Sequence, residues 1–354
     1  MQEGHGDEVR GVVLEKIGEL SVREIDIPGT LEPQSDEVAV SIRTVGVCGS
    51  DVHYYEHGRI GDFIVNAPLI LGHEASGVVA AVGSHVTHLK VGDRVCMEPG
   101  IPNFTSPETM LGLYNLDPEV RFWATPPVHG CLTAKVVHPA ALTYRLPDNV
   151  SFAEGAMVEP LAIGVYAATK AKIRPGDVAV VTGAGTIGMM VLFAALAAGC
   201  SEVIVSDFAA GKLALLAGRP GITTVDPAKQ SLAKVVAERT EGRGADVFFE
   251  ASGSVRPYDK MADLIARGGR AVLVGMPQEL VPLDVVALQV KEISLTGTFR
   301  YANVWERTLK LLASGKIDLK PLISATFPFD QAAAAFARAA RRLPSDVKIQ
   351  IQLE

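Results

Sequence analysis

The hydrophobic period of this chain changes part-way along. In the first third, residues 37–45 alternate polar and apolar as a half-buried strand does, and residues 11–16, 77–82 and 93–97 repeat the theme between Gly and Pro turns. Many short strands predict a β-rich barrel or sandwich. Residues 100–117, rich in Pro, Asn, Ser and Thr, read as an irregular surface lobe. From about residue 160 to 299, apolar strands at 178–181, 203–206, 246–251 and 270–275 alternate with helical segments at 189–196, 209–217, 232–239 and 258–266. That alternation predicts a parallel sheet covered by helices on both faces, an α/β fold. The tail adds two amphipathic helices, 304–313 and 331–341, and an alternating strand, 347–353, expected to return to the first sheet.

Composition narrows the function classes. A length of 354 residues with 48% hydrophobic and 21% charged residues is ordinary globular composition with room for two cores. The net charge of −7 argues against a nucleic-acid surface as the main role. Cys48, Cys96, Cys131 and Cys200 form no C-x-x-C pair, which fits reduced thiols and a cytoplasmic location. Residues 1–8 show neither a basic nor an apolar leader region, and no apolar run approaches the ~20 residues of a membrane span.

Two segments carry the chemistry. Cys48, in Val47-Cys48-Gly49-Ser50-Asp51, and the pair His73-Glu74, in Gly72-His73-Glu74-Ala75-Ser76-Gly77, offer a thiol, an imidazole and a carboxylate from glycine-bounded breaks. One soft ligand with two harder ones suits zinc better than magnesium or calcium. Glu159, with apolar neighbours and Pro160 after it, reads equally as a metal-site acid or as a helix-start charge. The second segment is Gly183-Ala184-Gly185-Thr186-Ile187-Gly188, between a β-branched strand and an apolar helix. That context is the dinucleotide fingerprint: a tight turn, close backbone approach to a pyrophosphate, and a helix N-terminus facing negative charge. Asp207 closes the next strand, where a carboxylate accepts ribose hydroxyls and repels a 2′-phosphate, so NAD is expected over NADP; a plain helix N-cap is the weaker alternative.

These residues resemble the zinc-dependent medium-chain dehydrogenase/reductase superfamily. The segment 72–77, with Gly83 and Val86 after it, is similar to that superfamily's zinc signature. Cys48-Gly49-Ser50-Asp51-Val52-His53-Tyr54, Gly58-Arg59-Ile60-Gly61, Val158-Glu159-Pro160-Leu161 and Phe299-Arg300-Tyr301 resemble its polyol branch of sorbitol and xylitol dehydrogenases. Residues 121–130, 319–323 and 344–348 are most similar to bacterial NAD-dependent xylitol dehydrogenases, or D-xylulose reductases. The resemblance covers nearly the whole chain. It implies a discontinuous catalytic domain on a co-chaperonin-like barrel, residues 1–159 and 300–354, with a Rossmann domain, residues 160–299, between its parts. It also implies a homo-oligomer, tetramer or dimer, while the acidic charge and the short apolar runs predict no nucleic-acid or membrane partner.

Position by position, the resemblance makes Cys48, His73 and Glu74 zinc ligands, with Glu159 a further ligand or the holder of a water beside the metal. Tyr54, Glu159, Arg300 and Tyr301 fall at substrate-contacting positions. Gly183, Gly185, Ile187, Gly188, Asp207 and Lys212 fall at cofactor positions, as do Val274, Gly275, Met276, Thr298, Phe299 and Arg300. Ser50 and His53 are candidates to carry the alcohol proton away, and equally a turn hydroxyl and a surface imidazole. Likewise a surface ion pair and a packing ring compete for Arg300 and Tyr301. One departure is clear: many relatives hold a second, structural zinc on four cysteines, and residues 100–120 contain none. The expectation is therefore one catalytic zinc per chain, NAD as cofactor, and oxidation of xylitol to D-xylulose. Sorbitol or L-arabinitol oxidation is the alternative within the branch, and an NAD-binding redox sensor without turnover is the rival from another class.

Overall fold

The computed structural model describes residues 7–27 and 31–353; the N-terminal residues 1–6, part of the segment read above as lacking a leader, lie outside the described residues. The chain divides into two compact units. The first contains residues 1–159, 305–313 and 318–354; the second contains residues 160–304 and 314–317. Residues 300–304 therefore group with the second unit rather than with the C-terminal part expected from the sequence.

In the first unit, β1 (Asp7–Lys16) and β2 (Glu19–Ile27) form an antiparallel pair extended by residues 69–70. The larger sheet is built around β3 (Glu37–Val47), whose alternate Val38, Val40 and Ile42 are completely or almost completely buried. β4 (Glu74–Val82) pairs with one edge of β3, and β5 (Arg94–Met97) continues outward from β4. β6 (Lys135–Pro139) pairs with the N-terminal half of β3, and the last strand of the chain, β7 (Lys348–Gln352), with its C-terminal half. Alternating Ile349 and Ile351 give β7 its apolar side, and Ile349 lies opposite Val47. Helix α1 (Gly49–His57) follows β3 directly, with Cys48 as its N-cap, and ends at Gly58, whose φ of 68° is left-handed.

The second unit is a six-stranded parallel sheet. Its strands are β8 (Val178–Thr182), β9 (Glu202–Ser206), β10 (Ile222–Val225), β11 (Ala245–Glu250), β12 (Ile265–Leu273) and β13 (Ser294–Gly297), in spatial order β10-β9-β8-β11-β12-β13. That is the 3-2-1-4-5-6 order of the doubly wound Rossmann fold. Val180, Ile204, Phe248 and Ala271, all fully buried, carry the core through four of these strands. One expected element is corrected. The helix predicted over residues 258–266 is only Met261–Leu264, and Ile265 already begins β12. The Lys291 ammonium takes the carbonyls of Ala262 and Ile265 at 2.7 and 2.9 Å, acceptors that a continuing helix would have offered to its own N–H groups. No helix among the described residues is long and apolar enough to cross a membrane.

Candidate functional site

β3 and β4 deliver the ligand set. Cys48 stands where β3 passes into α1, and His73 and Glu74 stand where β4 begins, with Glu74 opposite Gly46 in the register. One donor atom from each of Cys48, His73 and Glu74 lies within 4.8 Å of the other two. Zinc bonds of about 2.0–2.3 Å span such a group after a small contraction, so the residues fit a thiolate–imidazole–carboxylate zinc site. The surroundings favour positive charge. Burial alone would lower the His73 pKa, but Asp51 and Cys48 beside it outweigh that effect and raise it well above its usual value. Phe122 closes one side, its ring 5.6 Å from the imidazole.

Two residues without a role in the sequence reading organise this cluster. Asp51 is almost fully buried: one carboxylate oxygen accepts from the Cys48 N–H and the other from the Gly72 N–H, both at 3.1 Å. The latter oxygen also faces His73 Nδ1 at 3.4 Å, which leaves Nε2 as the outward donor of the ring. The signal was a C-x-x-D at a strand-to-helix break, a capping box with cysteine in the cap. Lys348 on β7 is the second, its Nζ 2.7 Å from both oxygens of Glu74. Strand alternation marks Lys348 and Gln350 as an outer polar row, yet both are buried. Gln350 donates to the Ala153 carbonyl of the helix lying there at 2.7 Å.

Glu159 starts a helix, Val158–Lys170, and is buried at 3% exposure. The group of three donors does not include it, but it acts electrostatically on Lys348 and Cys131. Ser50 and His53 lie on α1, both half-buried. The His53 ring stands 4.6 Å from that of His57, and burial first, then His57 and Arg342, lower its pKa. Tyr54 packs in the apolar core of the first unit at 3% exposure.

The remaining candidates belong to the second unit. Gly183, at φ 95°, makes the turn out of β8, and any Cβ at Gly188 would stand 1.8 Å from the Gly183 carbonyl oxygen. Gly185 faces open space and is the N-cap of the helix Thr186–Ala198, to which a glycine brings no capping side chain. A helix start behind a glycine turn, with open space at Gly185, fits a pyrophosphate. The Asp207 carboxylate accepts from Ala184 N–H at 2.6 Å and Ala209 N–H at 2.7 Å, so it ties the glycine turn to the next loop. Ile187 and Lys212 are half-buried nearby in the chain. Gly275 fits tightly over Glu250, where a Cβ would come within 2.3 Å of the carboxylate. Val274 and Thr298 lie just past the ends of β12 and β13, Thr298 N–H reaching the Leu273 carbonyl at 3.0 Å, whereas Met276 is exposed. Arg300 has a left-handed φ of 51° and lies over the Phe299 ring at 4.8 Å; Tyr301 is buried. A non-glycine residue held in that conformation marks a constrained turn.

Comparison with known proteins agrees with this geometry. Residues 34–148 match the family described as "Alcohol dehydrogenase GroES-like domain", and residues 186–314 match "Zinc-binding dehydrogenase". The D-xylulose reductase of Morganella morganii is 54% identical over 94% of this chain and 98% of its own. The chain belongs to the zinc-dependent medium-chain dehydrogenases, in their polyol branch. The sorbitol dehydrogenase of Bos taurus is 41% identical over 94% of this chain and 93% of its own. Among solved structures, an oxidoreductase/dehydrogenase of unknown specificity from Escherichia coli superposes with a TM-score of 0.92 at 34% identity, covering 98% of this chain and 100% of that one. As a member of this branch, the protein is an oxidoreductase that uses zinc and a nicotinamide cofactor.

This dehydrogenase holds its cysteine-free lobe by other means. Glu98, after β5, accepts from the Tyr114 hydroxyl at 2.6 Å and the Tyr144 hydroxyl at 3.3 Å, and burial pushes its pKa up to about 7. Asp117 accepts from the Asn103 N–H at 2.5 Å and the Glu119 N–H at 3.0 Å, which fixes both ends of the loop.

Proposed function

We propose that the protein is an NAD-dependent xylitol dehydrogenase with one zinc per chain, which converts xylitol and NAD⁺ to D-xylulose, NADH and a proton. The observation that carries this reading is the cluster of Cys48, His73 and Glu74 within 4.8 Å. Bound zinc supplies Lewis acidity to the substrate hydroxyl, and bound NAD accepts the hydride.

In this reading the chain's own residues do the rest. Cys48, His73 and Glu74 hold the metal, and Glu159 holds the water beside it. A single thiolate and a single carboxylate balance the charge of the ion without quenching it, which is why Glu159 is assigned the water. Ser50 takes the proton released by the alcohol and His53 passes it to solvent. The lowered His53 pKa supports a neutral imidazole able to accept it. Tyr54, Glu159, Arg300 and Tyr301 bind the polyol hydroxyls. Gly183, Gly185, Ile187 and Gly188 bind the pyrophosphate side of the cofactor, with Asp207 and Lys212 on the adenosine ribose. Val274, Gly275, Met276, Thr298, Phe299 and Arg300 contact the rest of it.

Preference for NAD over NADP is supported by the Asp207 carboxylate, which keeps acceptor capacity after its two backbone bonds and repels a phosphate. A single zinc is supported by the lobe, where residues 100–120 contain no cysteine and Glu98, Tyr114 and Asp117 make the tying hydrogen bonds, and by the one metal-ligand cluster found among the described residues. Xylitol rather than sorbitol is supported by the higher identity to the Morganella morganii enzyme than to the Bos taurus one. A cytoplasmic location is supported by four free thiols. Assembly into a homo-oligomer is supported by the apolar Val285, Val286, Val290 and Leu295, exposed at and before the edge strand β13. Zinc analysis with NADH formation from xylitol tests the core of the reading: about one zinc per chain and turnover with NAD are expected. Two tightly held zincs, or no turnover on any polyol, would overturn it.

A further inference from the structure

Lys348 is an unusual neighbour for a metal ligand. Its side chain is 2% exposed and that of Glu74 1%, and the ammonium uses all three donors: Glu74 Oε1 and Oε2 at 2.7 Å each and the Val47 carbonyl at 3.3 Å. Three strands of the sheet enforce the pairing. β7 brings Lys348, β4 brings Glu74, and β3 supplies the Val47 carbonyl and, at Gly46, room for the carboxylate, since a Cβ there would stand 2.0 Å from Glu74 Oε2. The strand register therefore holds the two side chains against each other, and each Glu74 oxygen keeps lone-pair capacity beyond the lysine.

We propose that Lys348 is a positioning residue that sets how firmly the site holds its metal, by sharing the Glu74 carboxylate with the ion. The inference rests on the reading of Cys48, His73 and Glu74 as zinc ligands. The thiolate of Cys48 and the carboxylates of Asp51, Glu74 and Glu159 outnumber the two charges of a zinc ion by two, and the Lys348 ammonium offsets one of them. Before the metal binds, Lys348 is the cation that keeps Glu74 from standing unpaired in a buried site. Removing its charge raises the free energy of the zinc-free protein more than that of the zinc-loaded protein, where the ion itself compensates Glu74. Binding then becomes tighter, the opposite of what a scaffold residue does when lost.

The test is zinc release from the purified holoenzyme to a chromogenic chelator, read with the zinc content and the melting temperature of the loaded and stripped forms. Lys348→Met is expected to slow release on the order of tenfold or more and to widen the gap between loaded and stripped melting temperatures. Lys348→Arg, which keeps the charge, is expected to stay within about threefold of wild type. The double variant Lys348→Met with Glu74→Gln removes both partners of the pair and guards against a single variant that fails to fold; it is expected to release zinc at the rate of Glu74→Gln alone. Release from Lys348→Met at the wild-type rate or faster, or a double variant that differs from Glu74→Gln, overturns the proposal. A wild-type protein that carries no zinc overturns the underlying reading of the site instead.

Discussion

Asp51 serves two backbone N–H groups and the His73 imidazole with one carboxylate, so it links the cap of α1 to the ligand segment. Asp51→Asn is expected to weaken zinc binding about 10–100-fold, because the ring loses the partner that fixes its outward nitrogen. Chelator competition checks this, and unchanged affinity in a folded variant would contradict it. The sign is opposite to that expected for Lys348→Met, so the two substitutions separate an orienting carboxylate from a competing cation. Asp207→Ser is expected to raise KM for NAD and to relax rejection of NADP, read as the ratio of kcat/KM for the two cofactors. A wild type that uses both equally well would remove the role given to Asp207. Cys48, His73 and Glu74 were legible in the sequence because three ligand types stand in glycine-bounded breaks. Lys348 was not, because a lysine in an alternating strand ordinarily faces water, and only the register against β3 turns it onto Glu74.

At the scale of elements, the lobe after β5 is tied to the sheet through a buried carboxyl, Glu98. The folded pKa of Glu98, raised by burial to about 7, lies above its value in the unfolded chain. The stabilisation from protonated Glu98 is therefore complete below about pH 4.5, declines as the pH climbs toward 7, and is gone above it. His138 donates to the Glu98 carbonyl, and burial holds its own pKa down to about 4, so it remains neutral through that window. Glu98→Gln keeps an acceptor for the Tyr114 hydroxyl and removes the titration. Its melting temperature relative to wild type is expected to be higher at pH 8 than at pH 5, by roughly 5 °C. A difference independent of pH would show that Glu98 is not the titrating group. The glycine turn of the second unit was readable from sequence because Gly183 and Gly188 have steric reasons that no other residue meets. The short helix before β12 was misread because the pattern does not reveal Lys291 taking its carbonyls.

For the whole molecule, the alternation of strand and helix gave the parallel sheet, and its 3-2-1-4-5-6 order follows from right-handed crossovers on either side of β8. The return of β7 to β3 was readable as an alternating strand at the end of the chain, but its exact seat beside Val47 was not, since register depends on partners far away in sequence. The metal cluster and the glycine loop lie in different units, so dehydrogenation as a whole is tested only by turnover. The most direct measurement is kcat/KM with NAD across xylitol, sorbitol, ribitol, L-arabinitol, ethanol and 2-propanol. A site whose donors pair with many hydroxyls leaves them unsatisfied with a simple alcohol, so the account predicts xylitol highest and ethanol and 2-propanol far below every polyol. Ethanol outperforming the polyols would contradict it.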